Sequence, residues 1–164
     1  MSRREVEKLS LRNARAIIQG KDHLPSRGRK GSVWLPRLRR KFSYRSNLER
    51  RILLAIDEYP LVVDIESEKL YIKYSWKGAI CHYVPDLILK LSDGRVWIIE
   101  IKPSKLITEE RNQTKFRAAR IFCRKLGNHV RFGVLTDEKD VKSVLPNHDG
   151  VSVMEHLSQN SARA

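Results

Sequence analysis

Three charged residues interrupt the most apolar stretch of this chain. In YVPDLILKLSDGRVWIIEIKPSK, residues 83–105, Asp86, Glu100 and Lys102 stand at the ends of two strand-like runs whose other residues suit a core. Two carboxylates and an ammonium group held together have a definite chemistry. Carboxylates brought within a few ångströms repel each other unless a proton or a metal lies between them. An oxygen-only, hydrated ligand set suits magnesium or manganese better than zinc. A neighbouring lysine can orient or help deprotonate a water and can offset charge on a phosphate. These are the parts of a phosphodiester-hydrolysing site. The competing reading is a surface ion cluster at a frayed hairpin end, with Lys102 pairing with Asp86 or Glu100.

A hairpin brings the three residues together. A three-residue loop, Ser92-Asp93-Gly94, with Gly94 as the left-handed residue, is a favoured connection. It pairs Leu91 with Arg95, so Ile88 faces Ile98 and Asp86 faces Glu100. Directly opposed residues share a face of the ladder, with Cβ atoms about 4.5–5.5 Å apart. Lys102 lies two residues beyond Glu100 and points the same way. A two-residue Asp-Gly loop would shift the register by one and send Asp86 to the other face.

The elements around this hairpin follow from pattern. Ser46-Asn47-Leu48-Glu49 has the form of a capping box. Leu48, Ile52, Ala55, Ile56 and Tyr59 follow at helical spacing, and Pro60 closes the helix. VVDIES and KLYIKYSW read as strands, then a turn at Lys77-Gly78, then AICHYVPDLILKL and RVWIIEIK as the central hairpin. A second helix spans about Thr108 to Leu126, with Phe116, Ala119, Phe122, Cys123 and Leu126 on its apolar side and Gly127 as its stop. HVRFGVLT reads as a buried, central strand. A short helix near Asp137–Val144 and a weak strand at VSVME complete the order.

Composition narrows the class. The chain has 164 residues, 41% hydrophobic and 32% charged, enough for one domain with a modest core. No apolar run approaches the ~20 residues that span a bilayer, and the N-terminus has no signal-peptide pattern. Cys81 and Cys123 form neither metal-site spacing nor a disulfide framework, so reduced, buried thiols are expected. Residues 1–51 carry 16 Lys+Arg against 4 Asp+Glu, or +12 of the chain's +14. Clustered charge of this kind calls for a polyanion, with nucleic acid ahead of an anionic membrane surface or an acidic protein. Residues 3–18 suit a short basic helix and residues 20–33 a flexible linker. WLPRLRRKF suits either a segment that orders on a partner or one that packs back on the domain.

Pro85-Asp86 followed by Glu100-Ile101-Lys102 resembles the PD-(D/E)xK signature of restriction-endonuclease-like nucleases. Glu49, on a helix preceding the strands, matches the additional acid common among them. SNLERRILLAIDEYP, the strands up to the motif, KFRAARIFCRKLG and VRFGVLTDE together resemble the N-terminal catalytic domain of TnsA, the endonuclease subunit of heteromeric transposases. The expected fold is α/β: a restriction-endonuclease-like mixed sheet with an α-β-β-β-α-β core, flanked by helices and preceded by a basic N-terminal arm. The expected division is arm 1–41, nuclease domain 42–157 and disordered tail 158–164.

The resemblance implies a catalytic set of Glu49, Asp86, Glu100 and Lys102. Asp86, Glu100, the Ile101 carbonyl and Glu49 would hold Mg2+, with Mn2+ as a substitute, and Lys102 would act on the attacking water. The product would carry a 5′-phosphate and a 3′-hydroxyl. DNA contacts are expected from Arg37, Arg39, Arg40, Lys41, Lys105 and Lys115. His82, Tyr83 and Gln113 lie beside the site, where ordinary strand or helix-surface roles compete with DNA contact. Expected partners are DNA, a partner transposase and an ATP-dependent transposition regulator, with no membrane; the expected setting is the cytoplasm of a prokaryote, in a mobile-element or phage context. One departure stands out, because only about 20 residues follow Leu145, where the TnsA family carries a C-terminal helical domain. The alternatives are therefore a stand-alone junction, repair or phage nuclease, acting as a symmetric dimer, and a basic DNA-binding module that does not cut.

Overall fold

The computed structural model of the protein describes residues 31–67 and 69–145. The expected basic helix over 3–18, most of the linker, the strand at 151–155 and the tail over 158–164 lie outside the described residues. The order of elements is β1 (Gly31–Leu35), β2 (Arg40–Tyr44), α1 (Asn47–Asp57), β3 (Val62–Ser67), β4 (Ile72–Trp76), β5 (Ala79–Tyr83), β6 (Leu87–Leu91), β7 (Val96–Ile101), a 3-10 turn (Ser104–Leu106), α2 (Glu110–Leu126), β8 (Val130–Leu135) and α3 (Asp140–Val144). The protein is a mixed α/β domain. Its central sheet runs β3-β6-β7-β8, antiparallel except for the parallel pair β7–β8, which α2 connects. The β4–β5 hairpin is inserted between β3 and β6 and pairs only with itself among the described residues.

The register of the β6–β7 hairpin is the one that the Ser92-Asp93-Gly94 loop requires. Ile88 pairs with Ile98, and the Leu91 amide donates to the Arg95 carbonyl at 2.9 Å. Gly94 takes φ +85°, a left-handed conformation that costs a side-chain-bearing residue about 1 kcal/mol or more. β7 is buried along its whole length, Glu100 included.

Alternation along β6 and β7 divides the core into two faces. Leu87, Leu89, Leu91, Trp97, Ile99 and Ile101 pack with α1, α3, Leu35 and Phe42. Ile88, Val96 and Ile98 face the other way, against α2 and the β4–β5 hairpin through Ala119, Phe122, Cys123, Tyr74 and Tyr83. Glu100 has the parity of Ile98, so it points toward the α2 side.

Three expectations change. WLPRLRRKF belongs to the domain: β1 and β2 pair in register, with Leu35 fully buried and Phe42 nearly so. The folded unit thus begins before residue 42. Its turn is held by Asp57, a buried acid at the end of α1 whose carboxylate accepts the amides of Arg37 (3.1 Å) and Leu38 (3.0 Å). AICHYVPDLILKL is two strands, not one, because the chain breaks the ladder at Val84–Asp86 and changes sheet. HVRFGVLT forms an edge strand of the central sheet among the described strands, since the α2 crossover lays it outside β7. Both edge strands nevertheless have one face packed, which gives β8 its apolar content.

Candidate active site

Asp86 enters the site from the break between β5 and β6, and Glu100 and Lys102 from the end of β7. The ladder ends at Leu87–Ile99, so Asp86 and Glu100 each stand one residue beyond its last pair. Asp86 also fixes the strand end, because its Oδ2 accepts the Ile101 amide at 2.7 Å. The Lys102 amide donates to the Leu135 carbonyl at 3.0 Å, so β8 anchors the lysine's backbone. The Lys102 Nζ lies 3.0 Å from Glu100 Oε1. The other Glu100 oxygen, Oε2, is buried without a hydrogen-bond partner, and so is the Tyr83 hydroxyl nearby.

The acids are held away from their ordinary behaviour. Burial, reinforced by the Glu100 charge, pushes the Asp86 carboxyl up to about 7, although the Ile101 amide and Arg45 pull the other way. Burial also raises Glu100, against the opposing pull of Lys102, Lys115 and Arg45. The Tyr83 hydroxyl is raised by burial and by Glu100 beside it. Two carboxylates that both resist ionisation at one spot form a site short of positive charge.

Glu49 occupies the first turn of α1. Ser46 caps that helix as expected, its hydroxyl accepting the Glu49 amide at 3.1 Å. The box does not close in the usual way, since Glu49 Oε2 accepts the amide of Arg45 at 2.6 Å, one residue before the cap. The Arg45 guanidinium then bridges the acids. Its Nη2 lies 2.5 Å from Asp86 Oδ1, and its Nε 3.6 Å from Glu49 Oε1. A cavity of about 20 Å3 opens here, lined in part by Arg45, Glu49, Leu53, Asp86, Leu87 and Ile101. That is room for about one water-sized guest.

The predicted residues divide accordingly. Asp86, Glu100, Ile101 and Lys102 converge, and Glu49 reaches them through Arg45. No three acidic, histidine or cysteine side chains gather closely enough to hold an ion by themselves among the described residues. A divalent ion would take two carboxylates and the Ile101 carbonyl, leaving positions for water and phosphate. The unpartnered Glu100 oxygen and the two acids raised in pKa fit such an ion. Lys115 lies over the Tyr83 ring, 5.9 Å from its centroid, and its charge reaches Glu100. Lys105 is exposed, while the Gln113 amide donates to the Ile107 carbonyl at 2.7 Å and holds the turn before α2.

The basic residues expected to meet DNA do not share one fate. The Arg37 guanidinium donates to the carbonyls of Asp57 and Val62, and Arg40 pairs with Asp64 at 2.7 Å. These two hold the β1–β2 hairpin on the domain. Arg39 and Lys41 remain exposed. His82 is exposed on the outer face of β5, opposite Lys73, while Tyr83 turns inward.

Arg45 escaped sequence reasoning. Its one signal was a basic residue four positions before an acid at a helix start, and the surrounding run of arginines conceals that spacing.

Comparison with known proteins bears on this geometry directly. Residues 59–137 match the family described as TnsA-like endonuclease N terminal, and that span contains Asp86, Glu100 and Lys102. Over that span the chain resembles a TnsA-like nuclease domain. It is also similar to the head completion nuclease of Enterobacteria phage T4, 28% identical over 123 residues, covering 60% of this chain and 81% of that protein. Arg45 and Glu49 precede the span matched to the TnsA-like family, so the α1 side of the cleft stands on the structure alone.

Proposed function

We propose that this TnsA-like protein is a metal-dependent DNA endonuclease with a restriction-endonuclease-like core, using Mg2+ or Mn2+. One arrangement carries the proposal: Asp86 at the mouth of the β6–β7 ladder, its Oδ2 on the Ile101 amide at 2.7 Å and its carboxyl within reach of the Glu100 charge, with Lys102 Nζ 3.0 Å from Glu100 Oε1. A divalent ion bound by Asp86, Glu100 and the Ile101 carbonyl would supply Lewis acidity at the scissile phosphate and acidify a water. Lys102, paired with Glu100 and anchored through its amide on the Leu135 carbonyl, would orient that water and offset charge on the phosphate with its ammonium Nζ. The β7 backbone, fixed by Asp86 and Leu135, keeps the three groups in place when DNA arrives. Lys105, Lys115, Arg39 and Lys41 meet the phosphate backbone.

The TnsA-like match favours a strand-cutting subunit that works with a partner transposase and an ATP-dependent regulator. A second reading is a stand-alone nuclease, favoured by the similarity to a phage head completion nuclease across most of that protein's length. Cleavage of supercoiled plasmid and of a four-way junction by purified protein, in Mg2+ and in Mn2+, separates them. Cutting by the protein alone that Glu100→Gln and Lys102→Ala both abolish establishes the nuclease and favours the stand-alone reading. A folded, metal-binding protein that cuts only after transposase is added favours the subunit. Binding of neither metal, with no cutting in any mixture, refutes the proposal.

A further inference from the structure

Arg45 stands where a positive charge is needed and nothing in the chemistry above uses it. Its guanidinium lies 2.5 Å from Asp86 Oδ1, its Nε is 3.6 Å from Glu49 Oε1, and it borders the one-guest cavity shared with Ile101. Its backbone is fixed as well, since Glu49 Oε2 takes its amide at 2.6 Å. The side chain is only partly exposed, as are both acids it joins. On the other side of the site Lys102 does the same for Glu100. Each metal-site carboxylate therefore has its own resident cation, and the two cations differ. Lys102 is a flexible ammonium on β7 itself. Arg45 is a planar fork reaching in from another element, just before α1.

We infer that Arg45 is a place-holding cation: its guanidinium occupies the position between Glu49 and Asp86 that a divalent ion takes, so metal entry is an exchange of one cation for another. This rests on reading Asp86 and Glu100 as metal ligands. Before exchange, the guanidinium keeps Asp86 and Glu49 oriented and spares the domain a cluster of uncompensated buried acids. After exchange, Glu49 faces the ion, and Arg45 is released at the mouth of the cleft. The exchange makes Arg45 a positioning residue whose removal strengthens metal binding, the opposite of what removal of a ligand does.

Mn2+ titration by calorimetry, with the full chain and no DNA, tests this. Arg45→Gln should bind Mn2+ at least tenfold tighter than wild type. Arg45→Lys, which keeps a charge but loses the fork, should fall between them. Unchanged or weaker binding by Arg45→Gln overturns the proposal. If Arg45→Gln folds only when Mn2+ is present, the metal has replaced the guanidinium, which supports it. If that variant does not fold even with Mn2+, Arg45→Lys decides: tighter binding than wild type supports exchange, and equal or weaker binding overturns it. Glu100→Gln keeps the two levels apart. Wild-type binding that Glu100→Gln leaves unchanged refutes the metal site itself, whereas binding that needs Glu100 but ignores Arg45 refutes only the exchange.

Discussion

Replacing Glu100 by glutamine should invert the order of stability of two proteins when metal is added. Glu100 is 4% exposed, and its Oε2 has no donor. A buried polar atom left unsatisfied costs about 1–3 kcal/mol, and more when charged. The Lys102 contact returns part of this, about 1 kcal/mol for a pair whose lysine side chain is 22% exposed. Glutamine keeps the shape, removes the charge and relieves repulsion toward Asp86. In EDTA the variant should therefore be about 1–2 kcal/mol more stable than wild type. Metal at one hundred times its dissociation constant adds about 2.7 kcal/mol to whatever binds it when folded. Wild type gains that increment and Glu100→Gln does not, so wild type ends about 1 kcal/mol ahead. In a domain of this size each kcal/mol moves the melting temperature by about 4–6 °C, well within reach of calorimetry or denaturant titration. The reasoning fails if Glu100→Gln is the less stable protein in EDTA, or if both proteins gain equally from Mg2+ or Mn2+.

Asp86 gives a pH test. Its folded carboxyl is raised to about 7 from an ordinary value near 3.8, so the stability it contributes is present below the lower value and lost as pH rises through 7. Metal-free protein should lose stability between about pH 4 and 7, while Mn2+ binding tightens over the upper part of that range; an opposite slope in urea titrations would count against the assignment. Lys102→Ala should cost about 100-fold or more in cleavage while leaving a folded protein that still binds Mn2+, checked on one preparation by kinetics and calorimetry. Arg37→Ala should destabilise the β1–β2 hairpin by about 2–3 kcal/mol, yet leave the salt dependence of DNA binding unchanged; Lys105→Ala should do the reverse, lowering the slope against log salt by about 0.9. Gly133→Ala places a Cβ 2.7 Å from Val144 Cγ1 and 3.2 Å from Ile99 Cδ1, so unfolding should become easier by about 1–3 kcal/mol.

Local chemistry made the hairpin legible. The Ser-Asp-Gly loop dictates one register, which pairs Ile88 with Ile98 as expected and ends at Leu87–Ile99 beside Asp86 and Glu100, and helix spacing from Ser46 and from Thr108 locates α1 and α2 to within a few residues. What pattern left open depends on contacts between distant parts of the chain. WLPRLRRKF alternates too weakly to announce a hairpin, and its attachment rests on Asp57, whose partners lie about twenty residues away. The break before Asp86 is hidden because Val84 and Pro85 continue the apolar run. The position of β8 is set by the α2 crossover, which composition does not report. In the site, sequence supplied the acids and the lysine but not the compensating charge. Arg45 became visible only once folding carried it forty-one residues along the chain to Asp86.

The bond from the Lys102 amide to the Leu135 carbonyl gives the domain a timetable. Chains fold from the N-terminus as they are made, so both acids of the β6–β7 hairpin can meet while β8 has yet to be synthesised. During that interval the acids face each other on a sheet that lacks its last strand, and the lysine has no backbone anchor. A nascent chain stopped before Val130 thus carries every acid of the site in order and still lacks the geometry for cutting. If the domain cuts DNA as proposed, the last of its described strands to emerge is the one that completes the site.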